Sequence, residues 1–171
     1  MKRSVALLIP AVALFVSCAS PGTVAFSEGV RFYHQGRFSF ARDAFNTALR
    51  HDPQSAAAWN NLAASRARLG DHDGAIIDYT RALHLAPHDA EIVFNRGNAY
   101  ASAGNLPAAI ADFTTATVLR PDYARAYFNR GAVRSVAGDR AGAIADWQSA
   151  VTLERDPGTK AEMARVLDTP R

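Results

Sequence analysis

Apolar positions in this chain recur at helical spacing, and the spacing is itself copied along the sequence. Trp59, Leu62, Ala63 and Arg66 follow i, i+3, i+4, i+7, so an amphipathic helix is expected up to Leu69, where Gly70 can take a left-handed C-cap conformation. A second stripe, Ala75, Ile76, Tyr79, Ala82 and Leu83, predicts a second helix that Pro87 closes. The pair then repeats. Gly36, Gly70, Gly104 and Gly138 stand 34 residues apart without insertion, in step with Ala41, Ala75, Ala109, Ala143 and with Ala48, Ala82, Ala116, Ala150. Four units follow, at 22–55, 56–89, 90–123 and 124–157. Such units stack to bury a continuous core and leave a long concave surface, so binding there is a better expectation than catalysis in a cleft.

Within each unit the second helix carries a small residue and then an aromatic: Ala75 with Tyr79, Ala109 with Phe113, Ala143 with Trp147. Alanine lets helix backbones approach, and the ring one turn later covers the gap. Trp59, Leu62, Ala63, Ala75, Tyr79, Ala82 and Pro87, and again Gly97, Tyr100, Ala109, Phe113, Ala116 and Pro121, resemble the signature of the tetratricopeptide repeat (TPR). The resemblance covers residues 22–157 and implies an all-α, right-handed α-solenoid of four helix pairs. Ala25 departs from it, standing where a large residue is expected, as does Arg155, which takes the place of Pro53, Pro87 and Pro121. Thr159-Lys160-Ala161-Glu162 reads as a capping box, so 158–171 is expected to be a short capping helix and tail, with Met163, Val166 and Leu167 as its apolar edge.

The N-terminus is of another kind. Lys2 and Arg3 precede an apolar run from Val5 to Val16 that is shorter than the roughly 20 residues of a spanning helix, so residues 1–17 read as a signal peptide. Leu14-Phe15-Val16-Ser17-Cys18 resembles a bacterial lipobox, with Phe15 departing from the usual leucine. The resemblance implies diacylglyceryl and palmitate-type acylation of Cys18; ordinary secretion with cleavage after Ser20 or Gly22 is the alternative. Ala19 in place of aspartate implies, by the same resemblance, the outer membrane facing the periplasm. Residues 18–21 then form a short tether, and the roughly five residues up to the first predicted helix reach at most roughly 17 Å. Removing Lys2 and Arg3 lowers the basic count from 19 to 17 against 16 acids, so the formal charge drops from +3 to +1. With that balance and no basic block, nucleic acid is not an expected partner. Cys18 is the only cysteine, so no internal disulfide can form.

On the first helices, Asn61, Asn95 and Asn129 keep the 34-residue beat, with Ser27 in the first unit. Amides offer a donor and an acceptor together. They can hold the backbone of an extended peptide, as in the asparagine ladder of some TPR proteins, or simply bond between repeats. Phe26, Phe94 and Phe128 lie beside them, interrupted by Asn60, and are either groove anchors or rings packed on the next helix. Arg125 could add charge at one end of the groove. Asn60, Asn95 and Arg125 resemble part of the carboxylate clamp of chaperone-binding TPRs but lack its lysines, so recognition of a chaperone's acidic terminus is not expected. Arg96 and Arg130 need partners, and the expected ones are Asp78 and Asp112 across the unit boundaries.

No nucleophile, general base, phosphate loop or metal-ligand spacing is assembled, so neither an enzyme nor a cofactor is expected. His84 and His88 are separated by Pro87, which argues against a metal site there. The expected function is a membrane-anchored periplasmic scaffold or adaptor that binds a peptide segment or partner helix. By family analogy the partner would be an envelope protease, a peptidoglycan hydrolase or a secretin-type component. The alternative is a pilotin-like or self-associating assembly factor for an outer-membrane complex.

Overall fold

A computed structural model describes residues 20–168. The segment read as signal peptide, with Cys18 and Ala19, lies outside the described residues. Among the described residues nine α-helices follow in order: α1 Pro21–His34, α2 Phe38–His51, α3 Ala56–Arg68, α4 His72–Leu85, α5 Ala90–Ser102, α6 Leu106–Leu119, α7 Ala124–Val136, α8 Arg140–Leu153 and α9 Pro157–Asp168. Each helix packs on its neighbours in sequence, while α1, α3, α5 and α7 also touch one another in turn. Helices α1, α3, α5 and α7 therefore form the inner layer and α2, α4, α6 and α8 the outer, an all-α solenoid, with α9 packed on α8. No described helix is long and apolar enough to cross a membrane.

The corner between the two helices of a unit is set by glycine. Gly70 has φ +84° and closes α3 with two reversed bonds, its own N–H to the Ala67 carbonyl and that of Asp71 to the Arg66 carbonyl. A side chain in this left-handed well would cost roughly 1–2 kcal/mol. Gly36, Gly104 and Gly138 repeat the geometry. Asp71, Asn105 and Asp139 then cap α4, α6 and α8 by accepting the N–H of Gly74, Ala108 and Gly142 at 3.0, 3.2 and 2.9 Å.

Inside each pair a small residue on the inner helix faces a ring on the outer one. A Cβ added at Gly29 would come within 2.6 Å of the Phe45 ring, at Gly97 within 2.9 Å of Phe113 and at Gly131 within 2.7 Å of Trp147. Ala63, fully buried, takes this place opposite Tyr79 in the second unit. Burying each such ring contributes roughly 1.5–3 kcal/mol, so the four locks form the main apolar spine.

At the C-terminus α9 packs on α8, burying Met163 and forming a cleft in which Val166 and Leu167 meet Trp147 and Ile144. The helix begins before the expected capping box. Asp156 is the cap, accepting the N–H of Thr159 at 2.7 Å, and Thr159 lies inside the first turn. Those amide bonds hold the Asp156 carboxyl below its ordinary range.

Candidate functional site

The inner helices of the first three units enclose a groove of about 420 Å³. Asn60, Asn61, Asn95 and Asn98 supply amides along it, with Tyr33, Tyr79, Arg68 and His72 toward one edge and Glu91 toward the other. Helical geometry explains the grouping. Asn95 and Asn98 are one turn apart on α5 and so share a face, while Asn60 lies one unit back on α3.

The expected ladder is only partly a row of free amides. Asn95 donates to the Asn60 side-chain oxygen at 3.4 Å, and Asn129 donates to that of Asn98 at 2.7 Å. These are bonds between repeats. Asn61 makes no side-chain hydrogen bond within the described residues, and the donating ends of Asn60 and Asn98 remain unused. Asn129 does not line the groove.

Charge is unevenly placed. Arg68 has no carboxylate partner among the described residues and rests on the Phe38 ring at 4.5 Å. The Nδ1 of His72, at the start of α4, is buried without a hydrogen bond. Burial pushes the Tyr79 phenol well above its ordinary range, and the neighbouring Tyr33 adds to the shift. The groove thus runs from a cationic, phenolic edge to an acidic one, over a floor of amides.

The aromatic series separates. Phe94 is 6 % exposed and packs on Phe113 and Tyr123 at 5.7 and 4.9 Å, so it is core and not a groove anchor. Phe26 is half-buried against Phe45, and Phe128 is half-buried. Arg125 does not join Asn60 and Asn95. It stacks over Phe94 and Tyr123 at 5.6 and 5.7 Å, beside a Tyr123 hydroxyl that burial raises.

The ion pairs also differ from expectation. Arg96 grips Asp112 with two bonds of 2.8 Å, and Arg130 grips Asp146 with bonds of 2.9 and 2.6 Å. Asp78 contacts Arg66 at 2.9 Å, off the angle of a hydrogen bond. Each arginine therefore pairs within its own unit and not with Asp78 or Asp112 of the preceding one. The boundary is crossed by hydroxyls instead: Arg96 reaches Thr80 at 3.2 Å, and Arg130 reaches Thr114 and Thr117 at 3.1 and 3.2 Å. The inner helix turns this face toward the outer helix of its own pair, which puts the carboxylate closer than the one behind. A second arginine, Arg134, also bonds Asp146, at 2.9 Å.

Two family models match, a tetratricopeptide repeat model over residues 26–90 and a TPR repeat model over residues 97–135. The chain belongs to the tetratricopeptide repeat family. As TPR units, the helix pairs make it a protein-interaction scaffold. A stretch of 67 residues is 37% identical to the peroxisomal targeting signal receptor of Saccharomyces cerevisiae, covering 39% of this chain and 11% of the receptor. The fold is also that of YrrB, described as a TPR protein with an unusual peptide-binding site, at 23% identity and TM-score 0.74 over 84% of this chain and 74% of that one. The first TPR of Spaghetti, solved with an HSP90 peptide, matches at 21% identity and TM-score 0.67 over 69% of this chain and 94% of that one.

Proposed function

We propose that this TPR protein holds an extended segment of a partner protein in the groove of its first three units, and that acylation of Cys18 tethers it to the periplasmic face of the outer membrane. The carrying observation is the set of unused amide groups on Asn60, Asn61 and Asn98 around one groove, where each can bond a peptide backbone without reading its side chains. The peptide-binding descriptions of YrrB and of the Spaghetti complex agree with that use of the fold. An envelope protease, a peptidoglycan hydrolase or a secretin-type component is the class of partner this location would offer.

A photo-crosslinking residue at Asn61, compared with one at the exposed Gln148 of the outer layer, tests the groove in intact cells. Discrete adducts from position 61, lost on changing Asn60 and Asn98 to alanine, are expected; equal adducts from both positions would reject the groove. Mass spectrometry of the mature N-terminus tests the tether, with a diacylglyceryl-modified Cys18 as the expected result and an unmodified terminus at Pro21 or Thr23 against it.

Assembly by stacking of solenoid ends is the other reading. At the first end, the exposed pair Glu28 and Arg31 takes the places that buried Leu62 and Ser65 hold one unit later, and α9 covers the last end. Sedimentation of the purified chain is expected to show a monomer.

A further inference from the structure

One corner of the molecule is built from different chemistry than its three copies. Units two to four place Arg66, Tyr100 or Arg134 near the end of the inner helix, Asp71, Asn105 or Asp139 at the cap, Gly74, Ala108 or Gly142 three residues on, and Asp78, Asp112 or Asp146 below. Unit one has Phe32, Arg37, Phe40 and Ala44 at those places. The backbone is unchanged, with φ −87° and ψ 63° at Arg37 against −81° and 72° at Asp71, so an aspartate would fit. The helix has no side-chain cap there.

The replacement is a cluster of guanidinium groups around one exposed ring, Phe40, and a half-buried one, Phe32. Arg37 lies over Phe40 at 4.2 Å and over Phe32 at 4.7 Å, the two rings are 5.6 Å apart, and Arg31 approaches Phe32 at 5.2 Å. Beside them Arg68 lies on Phe38. Phe40 is 52 % exposed, and a Cβ at Gly36, the tip of the turn, would meet open space. Neither Arg37 nor Arg68 faces a carboxylate among the described residues; Arg31 has only the exposed Glu28 at 3.6 Å. An exposed cation–π contact is worth no more than the cap it displaces, so stability does not explain the exchange.

We infer that this corner, Phe32, Arg37 and Phe40 with Arg31 and Arg68, is a docking surface for an anionic membrane. An exposed ring without a hydrogen-bonding group, Phe40 beside the turn, can enter the boundary between headgroups and acyl chains. Guanidinium groups around it sit at phosphate level, and their charge complements anionic lipid within a Debye length. The surface does not depend on acylation of Cys18, and it would fix the tilt of the solenoid where a flexible tether would not.

The test uses residues 20–171, which hold every described helix, so that neither the leader nor an acyl chain contributes. Co-sedimentation is measured with vesicles of phosphatidylcholine alone and with about one third phosphatidylglycerol. Binding is expected only with the anionic vesicles, falling as salt rises. It should drop about tenfold in Arg37→Gln with Phe40→Ser, and remain unchanged in the charge-matched Arg155→Gln. Thermal melts confirm that the variants fold, as expected for exposed side chains. No binding to anionic vesicles, or equal binding by the double variant, would overturn the inference. So would a polyanion such as heparin that binds through the same residues while vesicles do not, which would move the surface to an acidic macromolecule. Absence of discrete Asn61 crosslinks with Asn60 and Asn98 intact, while vesicle binding persists, would reject the groove and leave the corner standing.

Discussion

The first unit and the three that follow share one architecture and differ in what holds their polar interior. Gly29 against Phe45 repeats the lock of Gly131 against Trp147, down to the ring that a Cβ would strike. Yet the buried aspartates Asp78, Asp112 and Asp146 have Ala44 as their counterpart, and the arginines that answer them have Glu28 and Phe32. The pair folds without the ion pairs. What the fold requires is the small-against-large apolar lock; what the buried arginines add is a bond to the unit behind, since Arg96 and Arg130 each hold a carboxylate with one edge and a hydroxyl across the boundary with the other. Such groups fix register more than they stabilise, because desolvation offsets much of their attraction.

The contrast can be broken most sharply at Asp146. Alanine there strands Arg130 and Arg134 together, and urea unfolding should show a loss of about 3–5 kcal/mol. A loss near that of an exposed aspartate would mean the pairs are ornamental. The reverse transplant, Ala44→Asp, puts a carboxylate into a half-buried place without a guanidinium and should cost about 1–3 kcal/mol. Adding Glu28→Arg, the counterpart of Arg96, should recover most of it; failure to recover would show that unit one differs in backbone and not only in side chains.

A smaller effect, of opposite sign, is expected at the corner. Arg37→Asp restores the missing cap and should raise stability by about 1 kcal/mol while weakening vesicle binding, a pairing that a purely structural corner would not produce.

The smallest effect concerns pH. Burial raises the Asp78 carboxyl above its ordinary value despite Arg66 and Arg81. Its folded form therefore holds the proton more tightly than the unfolded chain. The resulting stability is present below the ordinary carboxyl range and is lost as pH rises through the raised value. Relative to Asp78→Asn, the wild type should gain stability as pH falls from neutral into that range; a gap that widens the other way would show that Arg66 dominates.

The helices, their ends and the apolar locks were legible because glycine, alanine and aromatic positions recur in every copy, so errors at one are corrected by the others. The ion pairs were not. Periodicity states that Arg96 and Asp78 both leave the solvent, but an offset of 18 residues backward and one of 16 forward look alike until the pitch between layers is known, and the forward one is observed. The side that Phe94 takes is illegible for a related reason, since a ring beside a groove residue on a helix can lie on either side of it. Asn98 carries a usable signal, one helical turn after Asn95, but the repeat does not expose it because it has no counterpart in the other units. The α1–α2 corner was also written in the sequence, as a cap position holding arginine where its copies hold aspartate or asparagine.

Arg96 and Arg130 rivet the second unit to the third and the third to the fourth. At the first seam Leu62 stands where they do, and no guanidinium among the described residues hydrogen-bonds across it; Arg68 only rests on the Phe38 ring. In a one-dimensional array the junction with the weakest coupling opens first, so fraying and amide exchange should begin with α1 and α2. The groove straddles that junction, with Tyr33 on one side and Asn61, Asn95 and Asn98 on the other. A segment seated there would act as the absent rivet, and the stack would stiffen along its whole length only when occupied.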